Sequence, residues 1–185
     1  MLFAIPHLAL TTAGLTSFAI CLAIVWTKHL HGAHTLDSES GVQKIHEEPT
    51  PRIGGLAILI GLVIGFFFTP PEVAAILGPI LIASLPAFLA GVREDIFKRG
   101  RITERLLATF ASGVLAWWLT GDSLTRIGIG GVDWLLAITP VSVLFTAFAV
   151  GGVANAINII DGLNGLASGI VLLCMSTLGL IAFLA

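Results

Sequence analysis

The least ordinary stretch of this chain is Asn155-Ala156-Ile157-Asn158-Ile159-Ile160-Asp161-Gly162-Leu163-Asn164-Gly165. Asn155, Asn158, Asp161 and Asn164 recur every three residues in an apolar setting, and on a helix that spacing aligns one polar stripe. Gly162 and Gly165 place a helix end or break near Asp161. Amide and carboxylate oxygens suit a metal ion or a nucleoside base, and glycines allow close approach of the backbone. The plainer alternative is polar glue between helices.

Two further segments carry chemistry of a related kind. Gly91-Val92-Arg93-Glu94-Asp95-Ile96-Phe97-Lys98-Arg99 puts adjacent carboxylates at the end of an apolar run. Such acids are costly beside a membrane unless they meet a cation, a metal or water. Neighbouring acids shift each other's ionisation, and they can hold Mg²⁺ together with substrate phosphates. A solvated loop neutralised by Lys98, Arg99 and Arg101 is the competing account. His46-Glu47-Glu48-Pro49-Thr50-Pro51-Arg52-Ile53-Gly54-Gly55 combines two loop-fixing prolines with a planar cation and two glycines that open a helix. A helix N-terminus and a guanidinium both favour a phosphate, although Arg52 could equally be an interface anchor.

The elements that must position these segments are apolar. The sequence is 56% hydrophobic and 11% charged, with mean hydropathy +1.01. A soluble domain averages about 25% charged residues, so a polytopic all-α bundle of membrane helices is expected. About 20 apolar residues cross the hydrocarbon core. Six runs approach that length, at roughly 3–26, 53–69, 72–91, 105–120, 132–151 and 165–185. Thr69-Pro70-Pro71-Glu72 must be a turn, because neither proline continues a helix. The first run lacks a basic start and a small-residue cleavage site, so it reads as a retained span rather than a signal peptide.

Six crossings would put the loops 27–52, 92–104 and 152–164 on one side. Lys28, Lys44, Arg52, Arg93, Lys98, Arg99, Arg101 and Arg105 lie there or at the adjoining helix ends, with Arg126 alone opposite. The bias makes those loops cytoplasmic and the N-terminus external. Residues 1–185 then form one transmembrane domain. Gly61 and Gly65, and Gly165 and Gly169, have the four-residue spacing of close helix contacts. Cys21 and Cys174 read as packing residues in apolar runs. His29, His31 and His34 have loose metal-like spacing but no second cluster to join, so a solvated loop accounts for them. A net charge of −2 and the lack of a basic tract exclude nucleic-acid binding.

Together, HEEPTPRIGG at 46–55, GVREDIFKRGRITERL at 91–106 and NAINIIDGLNGLASG at 155–169 resemble the polyprenyl-phosphate N-acetylhexosamine-1-phosphate transferase superfamily, glycosyltransferase family 4. The form of the first segment resembles the aminosugar branch more than the muramoyl-pentapeptide branch. The resemblance implies transfer of a sugar 1-phosphate from a UDP-N-acetylhexosamine to undecaprenyl phosphate, with Mg²⁺ (or Mn²⁺) and release of UMP. The setting it implies is cell-envelope or lipopolysaccharide synthesis at the bacterial plasma membrane. Carried over by position, Glu94, Asp95 and Asp161 are the expected catalytic acids. Asn158 and Asp161 are the expected metal ligands, and His46, Arg52, Asn155 and Asn164 the expected substrate-binding positions.

Glu94 stands where the family often has aspartate, and so does Asn164. The resemblance covers the family's front half; a later Gly-Asp-x-Gly-Ser type motif and a basic loop are not in this sequence. The expectation is therefore that the 185 residues alone are inactive. The alternatives are a non-catalytic relic and a partner subunit that binds lipid phosphate. A homo-oligomer is compatible with all of these. A small transporter is disfavoured, since mid-span ionisable residues are nearly absent.

Overall fold

The computed structural model describes residues 6–30, 51–97, 101–160 and 165–184, and all statements below concern these. The elements among the described residues are helices: α1 His7–Trp26, α2 Gly54–Phe66, α3 Pro71–Phe97, α4 Ile102–Thr120, a short α5 Val132–Leu136, α6 Thr139–Ile160 and α7 Leu166–Leu184. The predicted turn lies between α2 and α3. The N–H groups of Phe67, Phe68 and Thr69 each reach back three residues to a carbonyl, tightening the chain before Pro70. Pro71 then opens α3, where its missing N–H costs nothing.

Helices α1, α2, α3, α4 and α6 pack in sequence, each against the next, and the interfaces are built from small side chains. Gly61 and Gly65 lie against α1. A Cβ on Gly61 would overlap the Ser17 hydroxyl, and one on Gly65 would come within 2.7 Å of the Ala13 Cβ. Positions 61 and 65 meet 17 and 13 in reverse order, so α1 and α2 are antiparallel. Gly113 and Gly151 do the same work between α4 and α6, facing Ala147 and the Phe110 ring. Buried positions such as Ala57, Ala83, Ser112, Ser142 and Ala147 are small, while large apolar residues including Leu144 and Phe148 point outward. This inversion of a soluble core fits a lipid surround, where close backbone approach replaces the hydrophobic drive.

Two prolines lie inside α3, at Pro79 and Pro86. A helix-interior proline disturbs the preceding turn. Here the neighbouring helix helps: the Ala87 N–H donates to the buried Ser112 hydroxyl of α4 at 3.0 Å. A side-chain acceptor from a neighbour is how such breaks are tolerated in a membrane.

Several expectations need correction. Four helices, α1, α3, α6 and α7, are long and apolar enough to cross a membrane on their own, rather than six. The second run forms only the 13 residues of α2, about 20 Å of helix against the roughly 30 Å of a hydrocarbon core. The fourth run forms α4, which is long enough at 19 residues but starts with Glu104 and Arg105 in its first turn. The run at 132–151 is divided. Residues 132–136 form α5, and α6 begins at Thr139 beside Pro140.

Helix α3 also continues to Phe97 and α6 to Ile160, into segments expected to be loops. Gly165 and Gly169 make no close helix contact, and Gly165 instead takes φ +77° ahead of α7. Cys21 is half-buried and Cys174 exposed, both as free thiols.

Candidate functional site

Helices α3 and α4 form an antiparallel hairpin whose charged end gathers two of the three polar segments. Residues equally distant from the turn face each other, so Ala87 meets Ser112 and Glu94 meets Arg105. Arg105 Nη1 donates to both carboxylate oxygens of Glu94, at 3.2 and 3.1 Å. Beside it, Arg93 Nη2 lies 3.0 Å from Glu104 Oε2. Acid and base thus alternate across the seam, a ladder in which each helix supplies one of each charge.

Asp95 takes a different partner, and helix geometry explains why. Consecutive residues on a helix project about 100° apart, so two adjacent acids cannot face the same neighbour. Glu94 faces α4, whereas Asp95 lies 3.5 Å from Arg52 Nε, just ahead of α2. The HEEPTPRIGG and GVREDIF segments therefore meet through the Arg52–Asp95 pair, joined across more than 40 residues of sequence. Both side chains remain about one-third exposed, 35% for Arg52 and 30% for Asp95, so water or a ligand reaches the pair.

Between α3 and α4 opens a cavity of about 290 Å³, with Leu89, Ala90 and Ala108 as its apolar floor and Arg93, Glu94, Arg101, Glu104 and Arg105 around it. Arg105 spends one terminal nitrogen on Glu94, while its buried Nε has no hydrogen-bond partner among the described residues.

The third segment is described as far as Ile160. Asn155 donates from Nδ2 to the Gly151 carbonyl at 2.8 Å, with a longer 3.4 Å contact to Thr109 Oγ1 on α4. Its amide nitrogen thus ties α6 to α4, which at this position is the polar glue between helices named as the plainer alternative. Asn158, one turn further on, is exposed. His46, Asp161 and Asn164 lie outside the described residues.

The structure thus joins Arg52 to Asp95 and sets Glu94 apart on Arg105. Sequence reasoning counted Arg105 only as a positive charge and passed over Glu104 and Thr109. Part of the signal for the ladder was available: a short hairpin brings the stretch around 93–94 opposite that around 104–106, where Arg93 and Glu94 find Glu104 and Arg105. Thr109 carried no comparable signal, because its role depends on how α6 packs. Among the described residues no three His, Cys, Asp or Glu side chains cluster. The oxygen donors of Asp95 and Asn158 are of the hard kind that Mg²⁺ prefers, and they fit such an ion only in company with further ligands.

The model of glycosyl transferase family 4 matches residues 77–185. The decaprenyl-phosphate N-acetylglucosaminephosphotransferase of Mycobacterium leprae is 29% identical over 185 aligned residues, covering 93% of this chain and 46% of that protein. The protein of the same name from Mycobacterium tuberculosis H37Rv is 31% identical over 150 residues, covering 74% and 37%. The phospho-N-acetylmuramoyl-pentapeptide-transferase of Desulfitobacterium hafniense is 26% identical over 166 residues, covering 82% and 48%. The chain spans less than half the length of these relatives. No solved structure matches it. A family match over more than half of the chain, on an all-helical apolar scaffold, settles the classification: the chain belongs to glycosyl transferase family 4.

Proposed function

We propose that this chain contributes the Arg52–Asp95 and Asn158–Asp161 parts of a site that transfers N-acetylhexosamine 1-phosphate from a UDP-sugar to undecaprenyl phosphate. The observation that carries the proposal is the Arg52–Asp95 pair, which unites two separate polar segments at one membrane face. The excess of basic residues at that face supports its being cytoplasmic, where nucleotide sugars are made.

In the reaction, an oxygen of the lipid phosphate forms a bond to the sugar-bearing phosphorus. The bond from that phosphorus to the oxygen bridging to UMP breaks, and UMP leaves with the electron pair. Little covalent work falls to the protein, whose task is position and charge. Arg52 offers a planar cation to a phosphate oxygen, and the α2 N-terminus beside it adds backbone N–H groups. Asp95 orients the attacking phosphate or accepts its proton, and Glu94 keeps the α3–α4 seam closed through Arg105. A Mg²⁺ ion, held when bound by Asn158 and Asp161 with His46, Asn155 and Asn164 lining the nucleotide sugar, would supply neutralising charge to the pyrophosphate.

The test uses membranes carrying the complete product of the gene that encodes this chain. UDP-N-acetylglucosamine, undecaprenyl phosphate and Mg²⁺ should yield UMP and a lipid-linked pyrophosphoryl sugar in equal amounts. Inserted protein that releases no UMP from any UDP-N-acetylhexosamine would overturn the proposal. Direct Mn²⁺ binding, read by electron paramagnetic resonance, should weaken at least about tenfold in Asp161→Asn, since a lost ligand or its partner costs that order of affinity.

A further inference from the structure

The segment 121–138, which joins α4 to α6, lies at the opposite end of α4 from the charged ladder, starting 16 residues or about 24 Å beyond Arg105. A connection in water would turn polar groups outward and apolar ones inward. This one turns several polar groups inward and several large apolar side chains outward, although Asp122, Thr125 and Arg126 face out and Leu136 is buried. The Asp133 carboxylate accepts hydrogen bonds from the Ile127 and Gly128 N–H groups at 2.8 and 3.2 Å, closing the loop on itself. The Ser142 hydroxyl, fully buried, lies 2.6 Å from the Ser123 hydroxyl and 3.0 Å from the Leu124 carbonyl, so it accepts from the first and donates to the second. The Leu124 N–H donates to Thr146 Oγ1 at 2.8 Å. Gly121, Gly128 and Gly131 take φ near +80°, which lets so short a loop turn repeatedly.

Outward, the same segment presents Ile127, Ile129, Trp134, Leu135 and Ile138, with Trp134 72% exposed. Trp118, in the last turn of α4, is 73% exposed next to it. The helices that the segment joins are apolar outward as well, with Val114 of α4 and Leu144 and Phe148 of α6 exposed. The single cation, Arg126, is 85% exposed and within 3.9 Å of Asp133.

We infer that residues 121–138 are an interfacial membrane anchor, lying among lipid headgroups and upper acyl chains with Trp134 and Ile129 in the lipid and Arg126 directed to headgroup phosphates. Three observations select lipid as the occupant: the inward bonding of Asp133, Ser123 and the Leu124 backbone, the exposed apolar side chains of the adjoining helices α4 and α6, and two exposed tryptophans, Trp118 and Trp134. Tryptophan favours the boundary between headgroups and hydrocarbon. The depth is bounded from the other side as well, because irregular backbone facing hydrocarbon is not tolerated. The segment therefore stays shallow.

The test keeps the whole chain and leaves Trp134 as the only indole, with Trp26→Phe, Trp117→Phe and Trp118→Phe, in phosphatidylcholine–phosphatidylglycerol nanodiscs. Lipids brominated near the headgroup should quench Trp134 more than lipids brominated near the chain end. Aqueous acrylamide should quench it less than free indole, because an indole at headgroup level is withdrawn from bulk water. Full acrylamide access without bromolipid quenching would make the segment an aqueous loop. Shielding from both quenchers would mean that protein covers it, and stronger quenching from the chain end would put it too deep. Each of these overturns the inference. Should the triple substitution fail to insert, Ile129→Cys with Cys21→Ser and Cys174→Ser allows an environment-sensitive dye at position 129. Its emission should shift to the blue in nanodiscs, and a water-like spectrum in folded protein would equally refute the anchor.

Discussion

The two ends of the α3–α4–α6 packing handle charge in opposite ways. At one end Glu94, Asp95 and Glu104 each meet a guanidinium supplied by a different element: Arg105 from α4, Arg52 from ahead of α2 and Arg93 from α3. At the other end Asp133 is satisfied within its own loop by two backbone N–H groups. A carboxylate bound to its own loop shapes that loop and nothing else. A carboxylate bound across elements depends on the whole packing, and its partner is a cation that a phosphate could engage as well. The first arrangement suits a site, the second a scaffold.

The largest effect expected from this contrast is on turnover. Asp95→Asn in the complete gene product should lower UMP release at least about a hundredfold, the usual scale for a positioned acid–base group, with membrane insertion unchanged. Asp161→Asn should act similarly. Near-normal turnover in both would erase the distinction between the ends as far as chemistry goes.

Next comes the seam. Arg105→Met removes two charge-assisted bonds to a partly buried carboxylate and should cost about 1.5–3 kcal/mol of thermal stability in detergent. The double variant Glu94→Met/Arg105→Met should recover much of that loss, since no charge is then left unpaired. If the double variant regained stability and also full turnover, Glu94 would be a purely structural acid. If stability returned without turnover, Glu94 would belong to the chemistry.

At the scaffold end, Asp133→Ala should destabilise by about 1–2 kcal/mol through two lost bonds to backbone donors. Turnover measured below the unfolding temperature should stay the same. A fall in turnover at constant stability would show the two ends to be coupled, contrary to the division drawn above.

How much of this was legible beforehand depends on the range of the interaction. The Pro70-Pro71 turn and the contact through Gly61 and Gly65 follow from local rules of backbone and periodicity. The position of Asp95 opposite Arg52 was legible only as a shared membrane side, because the pairing needs α2 and α3 docked at a particular height. The span count went astray for another reason. Apolar runs in sequence do not reveal that α2 stops after 13 residues, or that residues 132–136 separate from α6 as a helix of their own. The order in 121–138 was not anticipated either, since Asp133, Ser142 and Thr146 give no sign in sequence of the backbone groups they will meet.

The smallest effect expected is at Arg93, and it tests where the charged end stops being a site. The Arg93–Glu104 contact is as short as its neighbour at 3.0 Å, yet its side chains are 60% and 43% exposed, against 21% and 28% for Arg105 and Glu94. Distance alone would rank the two pairs equal. Exposure separates them, because water and salt screen an open pair and both side chains lose freedom on forming it. Arg93→Ala should therefore change thermal stability by less than about 1 kcal/mol, and the difference should vanish in high salt. A loss of about 2 kcal/mol or more that persists in high salt would require Arg93 to be shielded in the folded protein, well beyond the worth of an exposed pair. The boundary of the site would then move outward past the α3–α4 seam.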